Sequence, residues 1–154
     1  MSYSNPHLQI SDSTNQAIAV ANTPQAVTFD TDEFKRKMSH STSTNPSRIY
    51  VNEAGRYNAS CLMHITSTGA NKVLDMWIRV NGADVARTNV NTTLVNTNDS
   101  KTVSMEFCFD MTAGQYMEVI MSGDSTNLSL IAQGTAVSPT RPASPSALLT
   151  IMKI

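Results

Sequence analysis

Apolar and polar residues alternate with a period of two along most of this chain, which is the pattern of half-buried β-strands. The clearest segment is Lys72 to Val80, where apolar residues at every second position alternate with Asp75, Trp77 and Arg79. Thr102 to Met111 repeats the pattern over a longer stretch. Because no segment shows a convincing 3.6-residue period, the pattern predicts an all-β protein.

Ten strands are predicted from this alternation and from the turn residues between the segments. They are Gln16–Ala21, Ala26–Asp30, Arg48–Val51, Gly55–Thr66, Lys72–Val80, Val85–Asn91, Thr102–Met111, Tyr116–Ser122, Leu128–Thr135 and Ala147–Ile154. The charged segment 30–37 is predicted to be a solvated turn or a short helix. Strands of this number and spacing predict an antiparallel β-sandwich or jelly roll.

Two domain-level regions are predicted. Residues 1–15 are mostly polar and are interpreted as an extended N-terminal arm, followed by a jelly-roll domain over residues 16–154. The N-terminus has no apolar stretch typical of a signal peptide, and no run of 18 apolar residues suggests a membrane span. We therefore expect a protein made in a host cytoplasm, with no membrane partner.

The segment from Ala147 to Ile154 is apolar on both faces of its predicted strand. Exposing that much apolar surface would be unfavourable, so the strand is predicted to lie within a sheet or in a subunit interface. This feature favours a role in assembly.

Composition excludes some functional classes. Charged residues make up 15% of the chain, below the roughly 25% of average domains, and the formal net charge is −1. A nucleic-acid partner is not expected, because it would require clustered Lys and Arg. The two cysteines fall on opposite strand faces, Cys61 with the apolar set and Cys108 with the polar set, so two free thiols are predicted.

The sequence shows no recognisable set of catalytic residues. The histidines His7, His40 and His64 have no metal-ligand partner at a usable spacing, and no nucleophile motif or phosphate-binding glycine loop occurs. His64 is interpreted as an interface residue. We expect no enzymatic activity, no cofactor and no metal.

Several motifs of low individual specificity occur in an order that resembles the order in a known group of proteins. Glu53-Ala-Gly-Arg-Tyr57 follows an Ile-Tyr-Val strand, Asn81-Gly82 follows the Trp77 strand, and Ala113-Gly114 precedes the strand from Tyr116. Pro142-Ala-Ser-Pro145 then leads into the terminal apolar strand. Over residues 16–154 this order resembles the trimeric jelly rolls related to tumour necrosis factor and the complement globular head, in the versions found in phage capsid decoration proteins.

The resemblance implies a homotrimer in which the sheet containing the strands from Gly55, Tyr116 and Ala147 faces a threefold axis. The implied trimer interface comprises Leu62, His64, Ile120, Leu149 and Ile151. Residues of the predicted arm, Tyr3, His7, Leu8 and Ile10, are the candidate contacts to a capsid.

The expected function is that of a virion structural protein, a decoration or cement protein that binds the outer shell as a trimer and stabilises it. Its expected partners are two copies of itself and the major capsid protein. An alternative is a receptor- or glycan-binding knob of a viral fibre, and a third is a secreted signalling ligand.

Overall fold

A computed structural model of the chain describes residues 4–154. The described residues form sixteen β-strands and no helix. The strands are β1 His7–Asp12, β2 Gln16–Ala17, β3 Gln25–Ala26, β4 Thr31–Arg36, β5 Met38–Ser39, β6 Ile49–Val51, β7 Gly55–Ser67, β8 Lys72–Val80, β9 Ala83–Asp84, β10 Val90–Leu94, β11 Asp99–Met111, β12 Tyr116–Gly123, β13 Leu128–Leu130, β14 Ala136–Val137, β15 Thr140–Arg141 and β16 Ala147–Lys153.

The strands form two seven-stranded sheets and one small hairpin. Sheet I has the order β2-β13-β7-β16-β1-β4, with β11 on the other edge of β7. Sheet II has the order β10-β8-β12-β6-β5, with β3 beside β12 and β9 beside β8. All pairings within the two sheets are antiparallel, so the chain has the predicted all-β, sandwich-like architecture.

One apolar core contains side chains from both sheets. Sheet I contributes Leu8, Ile10, Tyr57, Met63, Leu149 and Ile151, and sheet II contributes Leu74, Met76, Ile78, Met117 and Val119. These residues occupy every second position of their strands, as the sequence pattern predicted for β7 and β8. Removing this apolar surface from water is the main favourable contribution to folding.

The tight turn between β8 and β9 has the backbone that its sequence predicts. Asn81 and Gly82 both have positive φ, 48° and 80°, and these values suit a two-residue hairpin turn. Gly114, between β11 and β12, has φ 85°. A residue with a Cβ would be strained at the two glycine positions.

The structure corrects the prediction of an extended N-terminal arm. Residues 7–12 form β1, which pairs with β16 on one side and β4 on the other. Leu8 and Ile10 have no solvent exposure because they point into the core. The described part of residues 1–15 therefore includes an internal strand of the sheet, and the domain boundary at residue 16 is wrong.

Other segments also differ from their predictions. The strands predicted at 16–21 and 26–30 are each only two residues long, β2 and β3. Residues 31–36 form strand β4 instead of a turn or helix, since their backbone completes the edge beside β1. The strand predicted at 85–91 begins only at Val90, and residues 85–89 form a loop. The strand from Leu128 ends at Leu130.

A buried histidine connects β4 to the loop before β6. The Nδ1 atom of His40 lies 2.6 Å from Asp32 Oδ1, and its Nε2 atom lies 2.8 Å from the carbonyl oxygen of Pro46. Both neighbours are hydrogen-bond acceptors, so each ring nitrogen faces an acceptor oxygen. Burial acts to raise the pKa of Asp32, but hydrogen bonds and charge from Lys35 and His40 outweigh it and lower that pKa.

Replacing Asp32 by Asn should destabilise the fold in a pH-dependent manner. Because the folded pKa of Asp32 lies below its ordinary value of 3.8, its contribution is present above about pH 4 and is lost as the pH falls through the folded value. Urea unfolding should show a loss of about 1–3 kcal/mol for Asp32→Asn at pH 5 to 7. The difference from wild type should shrink below pH 4.

A matched control is Asp110→Asn, because Asp110 pairs with Arg56 on an exposed part of the surface. Its effect should be smaller. An equal loss for both variants, or a loss for Asp32→Asn that does not change with pH, would contradict this account of His40.

Replacing Ile10 by Ala should reduce the free energy of unfolding by about 2–5 kcal/mol, because a cavity forms beside β16. Gln9→Ala, on the opposite face of the same strand, is the control and should cost less, since Gln9 is only half-buried. Denaturant melts of both variants measure the difference. A negligible effect of Ile10→Ala would show that β1 is not part of the stable sheet.

Candidate functional site

The outer face of sheet I has an apolar pair at its centre. Leu62 of β7 and Leu148 of β16 lie directly opposite each other and are half-buried. Ser104 of β11 pairs with Leu62 on the other side, and Ser11 of β1 pairs with Leu148. The row is therefore two leucines between two serines, on the face that points away from the core.

The neighbouring row on the same face is polar and uncharged at its centre. Ser60 pairs with Thr150, and Thr150 pairs with Gln9. The hydroxyl of Thr150 donates to Gln9 Oε1 over 3.2 Å. Together with the leucine row, this forms a surface without formal charge, which we call the central patch (Gln9, Ser60, Leu62, Leu148 and Thr150).

Charged side chains on this face lie toward its two edge strands, β11 and β4, and on the β4 side Glu33 accepts a hydrogen bond of 2.8 Å from the hydroxyl of Ser11. Arg56 donates to both carboxylate oxygens of Asp110, over 2.8 and 3.1 Å. The hydrogen bond from Arg56 lowers the pKa of Asp110, with a further contribution from the Arg56 charge. Glu106 accepts a bond of 3.1 Å from Asn58. A charged rim around an uncharged centre is the usual anatomy of a protein interface.

An apolar cavity of about 660 Å³ adjoins this face where β1, β4 and β16 meet. Phe34 and Met152 line it and are 48% and 46% exposed. The ring of His7 contacts Phe34 edge-on, with 5.7 Å between centroids. Large apolar side chains exposed together are characteristic of contact surfaces.

The predicted trimer-interface residues on sheet I lie in two different environments. Leu62 and His64 are half-buried on the outer face of sheet I, and His64 Nδ1 lies 3.0 Å from the hydroxyl of Thr102. Leu149 and Ile151 have no exposure, because they point into the core. Their assignment to an intersubunit surface is wrong.

Ile120 was also assigned to the wrong surface. Its strand, β12, belongs to sheet II, where Ile120 pairs with Trp77 and is 2% exposed. The prediction that the Tyr116 strand shares a sheet with the Gly55 and Ala147 strands is therefore wrong. Strand phase alone does not show which sheet a strand joins.

The predicted capsid contacts are also separated by the fold. Leu8 and Ile10 are core residues, so their side chains are not available to another protein. His7 lies on the outer face at the cavity. Tyr3 lies outside the described residues.

Leu148, Met152 and Phe34 are surface residues that the sequence analysis did not assign. The apolar character of both faces of the terminal strand was the available signal for the first two. Phe34 gave no such signal, because it lies in a segment dominated by charges.

The outer face of sheet II has a different character. Asp84 Oδ1 accepts hydrogen bonds from Trp77 Nε1 and Arg79 Nε, over 2.7 and 2.6 Å. The guanidinium of Arg48 lies 4.4 Å from the centroid of the Tyr116 ring. This face is charged and internally bonded, whereas the central patch of sheet I is not.

The two cysteines lie where their strand phases predicted. Cys61 is buried and Cys108 is exposed, and both are free. Burial raises the pKa of the Cys61 thiol to about 12. Cys61 is therefore a core residue, and Cys108 lies on the outer face of sheet I.

Among residues 4–154, no group of three or more His, Cys, Asp or Glu side chains could hold a metal ion. None of the described residues belongs to a helix that is long and apolar enough to cross a membrane. No protein-family model and no curated protein sequence matches this chain.

Proposed function

We propose that this protein is a homotrimeric jelly-roll subunit that decorates a viral capsid and stabilises it. In this proposal the central patch of sheet I faces the threefold axis. Binding of the trimer to the assembled shell, and not to its separated subunits, would stabilise the shell by mass action. The observation that carries the proposal is the half-buried Leu62–Leu148 pair within an uncharged surface.

The strand order supports the jelly-roll part of the proposal. The main strands of sheet I run β1-β16-β7-β11, and those of sheet II run β6-β12-β8-β10. Sheet I combines strands from both ends of the chain with strands from its middle, whereas the main strands of sheet II all lie between residues 49 and 123. This order is the one expected when two Greek keys fold into a double sheet.

The surface chemistry supports self-association through sheet I. The centre of an interface is depleted of charge, since buried charges lose hydration that a partner must replace. The central patch meets this condition, and the internally bonded charges of sheet II do not. Closed cyclic symmetry brings equivalent copies of one surface together around an axis.

The cavity beside His7 is our candidate for the capsid contact. Phe34 and Met152 expose apolar surface there in addition to the central leucines. The cavity adjoins the central patch, since Thr150 belongs to both. A trimer centred on the Leu62–Leu148 pair would leave Phe34 and Met152 for a second partner. The major capsid protein is that partner in the proposal, and the virion surface is the location.

Replacing Leu62 by Asp should dissociate the trimer. Around a threefold axis this single change would bring three carboxylates into a desolvated interface. Light scattering on a sizing column should then give the mass of one chain, 16.7 kDa.

The matched control is Val20→Asp, since Val20 is 59% exposed and follows β2 outside the central patch. It should keep the mass of the wild type. If Leu62→Asp also keeps that mass, the central patch is not the interface.

Purified protein should co-sediment saturably with shells assembled from the major capsid protein of the same virus. Phe34→Ser should weaken this binding while the trimer mass is retained, because it removes apolar area from the cavity. Val137→Ser is a control, since Val137 is highly exposed on the separate β14–β15 hairpin. Failure of the wild type to co-sediment would contradict the decoration function, and full binding by Phe34→Ser would exclude the cavity.

A further inference from the structure

A second cavity lies on the outer face of sheet II, on the opposite side of the sandwich from the central patch. It has a volume of about 470 Å³, within the range of small-molecule sites. Strands β8 and β12 and the loop 85–89 form its walls. The aromatic, charged and amide side chains that line it, together with one serine, are Asp75, Trp77, Asp84, Arg87, Asn89 and Ser122.

The indole of Trp77 is fixed at this cavity. Its Nε1 donates to Asp84 Oδ1 over 2.7 Å, and the same oxygen accepts a bond from Arg79. The hydrogen bond from Arg79, followed by that from Trp77, lowers the pKa of Asp84. The carboxylate is therefore ionised at neutral pH and holds the ring in one orientation.

A second carboxylate is positioned beside the ring on the same strand. Asp75 Oδ1 accepts bonds of 2.9 Å from the side-chain amides of both Asn89 and Asn91. Both hydrogen bonds are accepted by Oδ1 of Asp75, and neither is accepted by its Oδ2. Asn89 lines the cavity, whereas Asn91 is not among its lining residues.

The loop that closes the cavity is held by a buried threonine. The Thr88 hydroxyl donates to the carbonyl of Val85 over 2.8 Å and accepts from the amide of Ile78 over 3.1 Å. Arg87 next to it has φ 67°, a conformation that costs energy for a residue with a Cβ. The loop thus presents Arg87 and Asn89 from a fixed backbone.

From this arrangement we infer that the cavity is a binding site for a neutral saccharide. The guanidinium of Arg79 lies over one face of the Trp77 ring, 5.7 Å from its centroid, and does not line the cavity. The other face of the indole is the flat apolar surface that we assign to the C–H face of a pyranose ring, and the carboxylate, amide and guanidinium groups of the cavity offer acceptors and donors for its hydroxyls. The charges of Asp75 and Asp84 are balanced by Arg87 and by Arg79, which bonds to Asp84, so the site has no excess charge and favours a neutral ligand. This inference does not depend on the proposed function, because it uses the other sheet.

Trp77 is the only tryptophan of the chain, so its fluorescence reports on this cavity directly. The probes are the methyl glycosides of glucose, galactose, mannose and N-acetylglucosamine, with lactose and maltose, each titrated to about 100 mM to detect millimolar affinity. At least one should change the emission saturably. The amide signals of Arg87 and Asn89 should shift in a parallel NMR titration.

Two single variants provide a matched comparison. Asn89→Ala and Asn91→Ala each remove one 2.9 Å bond to Asp75, but only Asn89 lines the cavity. Asn89→Ala should weaken binding about tenfold or more, and Asn91→Ala by no more than about threefold.

Two results would overturn the inference. One is the absence of a saturable response to every sugar in both the fluorescence and the NMR titrations. The other is equal binding by wild type and Asn89→Ala, which would locate any sugar outside this cavity.

Discussion

Strand β7 pairs with β11 along its whole length, and its other edge pairs with β16 and then with β13. These pairings place Cys61 opposite Leu149 on the core side and Leu62 opposite Leu148 on the outer side. A shift of one residue would exchange the two faces. Both the core and the proposed subunit contact therefore depend on the register between β7 and β16.

The long strands were predictable because their alternation is strong. β8 was predicted at its observed bounds, and β7, β11, β12 and β16 within three residues at either end. β1 carries the same signal in His7-Leu-Gln-Ile10, but polar neighbours on both sides obscured it. β4 has almost no apolar alternation in its sequence. Its backbone pairing with β1 places it in the sheet, and backbone pairing leaves no pattern of apolar residues.

The candidate surface was predictable only in part. Strand phase separated Leu62 from the core, but assigning Ile120 required knowing which sheet β12 joins. The terminal strand was correctly predicted to lie within a sheet, yet Leu149 and Ile151 are core residues and Leu148 is on the outer face. The sheet II cavity combines β8, β12 and a loop that the sequence predicted as a strand, so no local pattern revealed it.

We propose separate roles for the two sheets, with association through sheet I and a ligand cavity on sheet II. In this proposal other copies of the chain cover the central patch. Light scattering on a sizing column tests this most directly with the unmodified protein. The predicted mass is three times 16.7 kDa, about 50 kDa. A mass of 16.7 kDa at every concentration would contradict the claim.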